Sequence, residues 1–164
     1  MTLPFREPNI VDFPVTYVIG VERRFPRGHL VDIGTLWQTL RNRTDEIDNP
    51  TGTAAFGIHR GSEDPKPVLD YMAGVEVHDL DHVPDGMVGR EIGGGRAAFF
   101  LLKLKGEPIG SVIGAAYDAI WREWMPNSGY VPAVDYDIER YDYRFHPKTL
   151  TGMIELVVPI APRP

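Results

Sequence analysis

The chain has 164 residues and 43% hydrophobic residues, enough for one domain that buries roughly two thirds of its unfolded surface. It has no cysteine, which excludes disulfides, a thiolate nucleophile and Cys-based zinc sites. Seventeen basic residues stand against 23 acidic ones, a net charge of −6, and the basic residues are scattered rather than gathered on a face, which argues against direct nucleic-acid binding. No apolar run approaches the ~20 residues that span a bilayer, and "MTLPFREPNIVDFP" lacks a basic region followed by an apolar one, so no membrane segment and a cytoplasmic location are expected.

In chain order, residues 1–12 read as an N-terminal extension and 13–164 as one domain built of two similar halves, about 13–80 and 87–160. "FPVTYVIGVERRF" is rich in β-branched and aromatic residues and predicts a strand. In "HLVDIGTLWQTLRNRTDEI", Leu30, Ile33, Leu36, Trp37 and Leu40 fall at helical spacing. The strands "TAAFGIHRG" and "LDYMAGVEVHDL" follow, joined by the loop "SEDPKP", so the first half is β-α-β-β.

The second half repeats that order. The strand "MVGREIGGGRAAFFLLKLKG" leads to a helix in which Ile109, Ile113, Ala116, Ile120 and Trp124 make an apolar stripe, opened by Pro108 and closed by Pro126 and Gly129. Two more strands, "VDYDIERYDYRF" and "GMIELVVPIA", complete it. Superposing the halves makes Trp37 and Tyr117 rough equivalents. The fold class expected is α+β: a duplicated β-α-β-β unit with an antiparallel sheet, two helices on one face and a ligand groove at the pseudo-two-fold centre.

The last strand carries a carboxylate within an apolar run. Alternation sends Ile154, Leu156, Val158 and Ile160 to one face and Met153, Glu155 and Val157 to the other. Glu155 therefore reads either as an acid looking into the groove or as one that is solvated or paired with Arg140 or Arg144 on the neighbouring strand. Glu139 and Tyr141, in "DIERYD", suggest a second site, but charges on an alternating strand usually mark its wet face. His78, Asp79, Asp81 and His82 lie close in sequence, yet in a polar loop, and no metal or cofactor is expected. "GREIGGGR" lacks the Lys-Ser/Thr ending of a phosphate loop and reads as a bulge or turn with close backbone approach. The signatures G-x-S-x-G and H-E-x-x-H are both missing.

The pieces "LWQTL", "DYMAGVEV", "GGGRAAFFLLKLKG", "IWREWMPNSGY", "DIERYD" and "IELVVPI", in this order over residues 13 to 160, resemble the GyrI-like small-molecule-binding domains, which also serve as effector-binding domains of AraC-type and MerR-type multidrug regulators. That resemblance implies an aromatic-walled pocket for lipophilic cations, with the acid of the final strand, here Glu155, as charge anchor and Val157 as an apolar wall. Tyr71, Trp37, Tyr117 and Trp124 would be further walls. Where such domains usually carry an aromatic, this chain has Ala97 or Ala98, which leaves pocket shape and ligand size open.

The resemblance supports ligand sensing or sequestration, with any role in transcription supplied through another polypeptide. It also keeps two alternatives: a hydrolase of cyclopropanoid-type hydrophobic electrophiles that uses Glu155 and Tyr71 as acid-base groups, and a protein-interaction module of the topoisomerase-inhibitor kind. Monomer and homodimer are both compatible with the strand edges.

Overall fold

The computed structural model describes residues 3–26, 33–62 and 68–164. Ten strands occur among them: β1 (Asn9–Phe13), β2 (Thr16–Pro26), β3 (Pro50–Ser62), β4 (Val68–Val77), β5 (Val88–Ile92), β6 (Gly95–Lys105), β7 (Tyr130–Pro132), β8 (Asp137–Tyr141), β9 (Phe145–His146) and β10 (Thr151–Pro162). Helix α1 is Ile33–Arg41, and α2 is Ile109–Ala119, continued by a wider π turn over Ile120–Trp124 and a short segment Met125–Asn127. Leu30 and most of the "SEDPKP" loop lie outside the described residues.

All the strand pairings are antiparallel, and the sheet order is β1-β6-β10-β8-β3-β4-β2-β5, with β7 and β9 alongside β10. That order carries the duplication. Strands β2, β4 and β3 with α1 form one half, and β6, β10 and β8 with α2 form the other. The halves meet where β3 pairs with β8, in the register Ala55↔Tyr141, Gly57↔Glu139 and His59↔Asp137. The edges are exchanged: β1, from the start of the chain, pairs with β6 of the second half, and β5, which precedes β6, pairs with β2 of the first. The stretch 1–12, read as an extension, thus supplies an edge strand, and Phe5 is buried with its ring 4.9 Å from that of Phe100.

Both helices lie on one face of the sheet. Leu36 and Leu40 of α1 pack with Ile19, Val21, Tyr71 and Ala73, while Ala116, Ala119 and Ile120 of α2 pack with Phe100, Leu102, Ile154 and Leu156. The ladder connects these two sets, because Leu156 lies opposite Glu139, Glu139 opposite Gly57, and Gly57 opposite Ala73. The other face is also buried. Phe13, Val18, Phe56, Ile58, Met72, Ile138 and Val157 form a third cluster without a helix, which the sheet achieves by curling into a half-barrel. Burial on both faces explains why several strands read as continuous apolar runs rather than as clean alternation.

Local chemistry accounts for the departures from the expected elements. "DNPTG" reads as a turn, but β3 already begins at Pro50, and Gly52, with φ +74°, marks a register shift between Pro50 and Ala55. In "VDYDIERYDYRF" the strand stops at Tyr141, because Asp142 accepts from the Arg144 amide and turns the chain before β9. "IGGG" forms the crossing from β5 to β6: Gly93 sits at φ +81°, and a Cβ there would collide with the Pro14 carbonyl. In "HDLDH", Asp79 accepts from the Asn49 amide group and the Asp81 backbone N–H, which fixes the turn after β4. No described helix is long and apolar enough to cross a membrane.

Candidate functional site

At the β3–β8 seam the two halves meet on the helix face, between α1 and α2. Five side chains from strands β3, β4 and β8 point there: His59, Tyr71, Asp137, Glu139 and Tyr141. Trp37 from α1 and Tyr117 from α2 flank them. Gly57 lies opposite Glu139, and a Cβ at that position would collide with the Tyr71 hydroxyl and come within 3.1 Å of Glu139 Oε1. The missing side chain is what allows the Tyr71 hydroxyl to reach Glu139 from the next strand.

Glu139 is the centre of the group. Its residue is only 6% exposed, and Oε1 accepts hydrogen bonds from Tyr141 Oη at 2.6 Å and Tyr71 Oη at 3.1 Å. Tyr71 Oη in turn accepts from Trp37 Nε1 at 3.0 Å. The rings interlock: Trp37 meets Tyr141 edge-on at 5.4 Å and Tyr71 at 6.5 Å, while Tyr117 meets His59 edge-on at 4.9 Å. Trp37 and Tyr117, equivalent in the superposed halves, stand on the two sides of the same carboxylate.

The electrostatics follow from burial. Among the described residues no Arg or Lys pairs with Glu139; its one potentially cationic neighbour is His59, whose Nε2 lies 3.5 Å from Oε2. Burial lowers the His59 pKa to about 4, so at neutral pH this contact is not an ion pair. Burial also raises Glu139 to about 7, against the two tyrosine hydrogen bonds that favour the charged form, and raises Asp137 to about 7. Tyr71, Tyr117 and Tyr141 are held well above the ordinary phenol range by burial first and by the Glu139 carboxylate second, so they remain hydrogen-bond donors. The result is an aromatic enclosure around a carboxylate that the chain supplies with hydrogen bonds but with no counter-ion among the described residues.

Of the residues singled out in the sequence, the structure brings Tyr71, Trp37 and Tyr117 together in this group. It places the other three elsewhere. Glu155 is on the face away from the helices: it lies opposite Arg140 in the ladder, and Oε1 accepts from Arg140 at 3.1 Å and Arg144 at 2.8 Å. Asp142 binds both arginines as well, and the Arg144 guanidinium holds its carboxyl well below the usual carboxylate range. The expectation that Glu155 looks into the groove is therefore corrected, because one residue of strand register separates the two faces and Glu155 falls on the arginine side. Val157 is fully buried on that same far face. Trp124 packs edge-on against Phe100 at 5.0 Å and lies parallel to Tyr130 at 6.4 Å, within the α2 core.

The sequence named Glu139 and Tyr141 as a second site but set them aside as a wet strand face, and His59 and Asp137 were missed. A signal for them existed in the alternation of "DIERY", which puts Asp137, Glu139 and Tyr141 on one face and Ile138 and Arg140 on the other. Two clefts lie away from this group: one of about 170 Å³ beside Gly93–Ala97 and Tyr136, and one of about 470 Å³ between Leu3, Glu7, Glu123 and Trp124. Neither reaches a buried charge without a counter-ion, and we place the candidate site at Glu139 on that chemical ground.

The antiparallel sheet, curled into a half-barrel with two helices over one face, defines an α+β fold. Residues 6–161 match the GyrI-like small molecule binding domain, and the chain belongs to that family. It is 29% identical over 154 residues to the transcriptional regulator BrlR of Pseudomonas aeruginosa, covering 93% of this chain and 54% of the regulator, so the chain spans about half the length of that relative. Its fold is similar to that of SAV2435 bound to tetraphenylphosphonium (TM-score 0.68, 12% identity, 95% of this chain and 94% of that one). It is similar also to EcmrR in a DNA complex (TM-score 0.72, 14% identity, 96% of this chain and 58% of that one).

Proposed function

We propose that the protein binds lipophilic, cationic aromatic molecules at the seam between its halves, with Glu139 as the counter-charge and Trp37, Tyr71, Tyr117 and Tyr141 as walls. The observation that carries this reading is a carboxylate enclosed by aromatic rings with no Arg or Lys beside it among the described residues. A buried carboxylate without a partner costs free energy, which it escapes by taking a proton or a cation. An organic cation supplies the charge, and aromatic faces add about 0.5–2 kcal/mol each where they are desolvated. The solved relative with tetraphenylphosphonium supports this choice of ligand class by analogy of fold.

Binding requires the Trp37–Tyr71 contact to open, since the rings now fill the space around Glu139. The role is sensing or sequestration. The test is a titration of tryptophan fluorescence with tetraphenylphosphonium and with triphenylphosphine oxide as a neutral counterpart. Saturable binding of the cation, at least about tenfold tighter than that of the neutral compound, is expected from the charge. Equal affinities would show that charge plays no part.

A further inference from the structure

Beside Glu139, the seam holds two more polar groups that the protein leaves without partners. His59 Nε2 is buried and makes no hydrogen bond, since its 3.5 Å approach to Glu139 Oε2 does not meet hydrogen-bond geometry. Asp137 stands directly opposite His59 in the β3–β8 ladder, two residues along the same face from Glu139, and makes no hydrogen bond or ion pair among the described residues. Two residues of strand place the Glu139 and Asp137 backbones about 7 Å apart. Among the described residues Glu139 Oε2 accepts no hydrogen bond, because both tyrosines bind Oε1.

The chemistry of this set is one-sided. Glu139 Oε2 and Asp137 are acceptors when ionised, and neutral His59 offers an acceptor at whichever ring nitrogen lacks the proton. The donors nearby are directed elsewhere: Tyr71 and Tyr141 give their protons to Glu139, Trp37 gives its proton to Tyr71, and the Tyr117 hydroxyl points to the Ile138 carbonyl in a long 3.5 Å contact. A quaternary cation satisfies the charge of Glu139 and leaves every one of these acceptors unbonded. A cation that carries N–H groups satisfies both the charge and the acceptors.

We infer that this site selects cations bearing N–H donors, such as protonated primary amines or amidinium groups on an aromatic body, over quaternary cations of the same size, through Asp137 and His59 acting with Glu139. The inference rests on the reading of the seam as a cation site and narrows the ligand class within it. A quaternary ligand leaves buried His59 Nε2 unpaired and offers no donor to the half-buried Asp137 carboxylate, which corresponds to roughly a tenfold loss in affinity. Asp137 sets the preference as an acceptor two residues along the same face from Glu139, whereas Glu139 provides attraction common to both kinds of cation.

The test is calorimetric titration of the whole chain at pH 8 with (2-naphthyl)methylammonium and with its N,N,N-trimethyl counterpart, which share the ring and the charge. The expected result is about ten- to a hundredfold tighter binding of the N–H cation to the wild type. Asp137→Asn should narrow that ratio several-fold, mainly by weakening the N–H cation. Equal affinity of the two cations for the wild type overturns the inference and leaves the cation-site reading intact, and this comparison stands whether or not the variant folds. Preference for the trimethyl compound, or a ratio unchanged in a folded Asp137→Asn variant, also overturns it. If neither cation binds, the cation-site reading fails and takes this inference with it.

Discussion

Glu139 and Glu155 sit on neighbouring strands, one ladder position out of step, and their surroundings are opposite. Glu155 meets two guanidinium groups at 2.8 and 3.1 Å, and Asp142 completes a network with two positive and two negative members. Glu139 meets two tyrosines and a neutral histidine. The comparison teaches that an acid among apolar residues in a sequence is informative only once its counter-ion is known. Glu155 is neutralised within the fold by two arginines, whereas Glu139 has no Arg or Lys partner among the described residues.

The largest expected contrast between the two is in the pH dependence of stability. Glu139 has a folded pKa of about 7 against an ordinary value of 4.5, so its stabilising contribution is full below about pH 4.5 and is lost as pH rises through 7. Asp137, raised from 3.8 to about 7, acts in the same direction. His59, lowered from 6.5 to about 4, acts in the opposite one: its contribution is present above 6.5 and lost as pH falls through 4. Glu139→Gln should therefore be close to neutral at pH 5 and gain on the order of 2–3 kcal/mol over wild type at pH 8, read from urea unfolding at the two pH values. A variant that loses stability at pH 8 would contradict the absence of a counter-ion.

Next in size is Gly57→Ala. The new methyl group enters the space of the Tyr71 hydroxyl and is expected to destabilise by about 1–3 kcal/mol while breaking the Tyr71–Glu139 hydrogen bond. Retention of wild-type stability in a melting experiment would mean that the seam is looser than its geometry.

Glu155→Gln should cost about 1–2 kcal/mol, because it leaves Arg140 and Arg144 with one carboxylate instead of two at a partly exposed site. A cost near zero in urea unfolding would break the assignment of Glu155 to the ion-pair network.

Trp37→Phe is the smallest, about 1 kcal/mol, since it removes one donor to Tyr71 and keeps most of the ring contact with Tyr141. A cost several times larger would indicate that the tryptophan is a structural support rather than a wall free to move.

Much of the fold was legible in the sequence because duplication and period speak locally. Ile33, Leu36 and Leu40 mark α1 by spacing, and the two half-chains repeat the same order of elements. What was not legible depends on distant pairing. "NIVDF" is five residues between polar and proline-containing stretches, and it becomes a strand only through β6, some 85 residues later. The site was half legible. Trp37 and Tyr117 are equivalent in the two halves and Tyr71 came with the family resemblance, but choosing between Glu139 and Glu155 required the sheet order, which puts β8 rather than β10 at the seam. The arginines in "ERYDYR" carried a warning: Arg140 and Arg144 must face an acid on the next strand, and Glu155 is the one in register.

The most direct test of the central claim is the affinity of tetraphenylphosphonium at pH 8 for wild type, Glu139→Gln and Glu155→Gln, measured side by side by fluorescence titration on variants shown to be folded. Loss of about tenfold or more in Glu139→Gln, with Glu155→Gln within about twofold of wild type, is the expected result. Full affinity in Glu139→Gln, or a loss confined to Glu155→Gln, would contradict it and move the ligand to the arginine face.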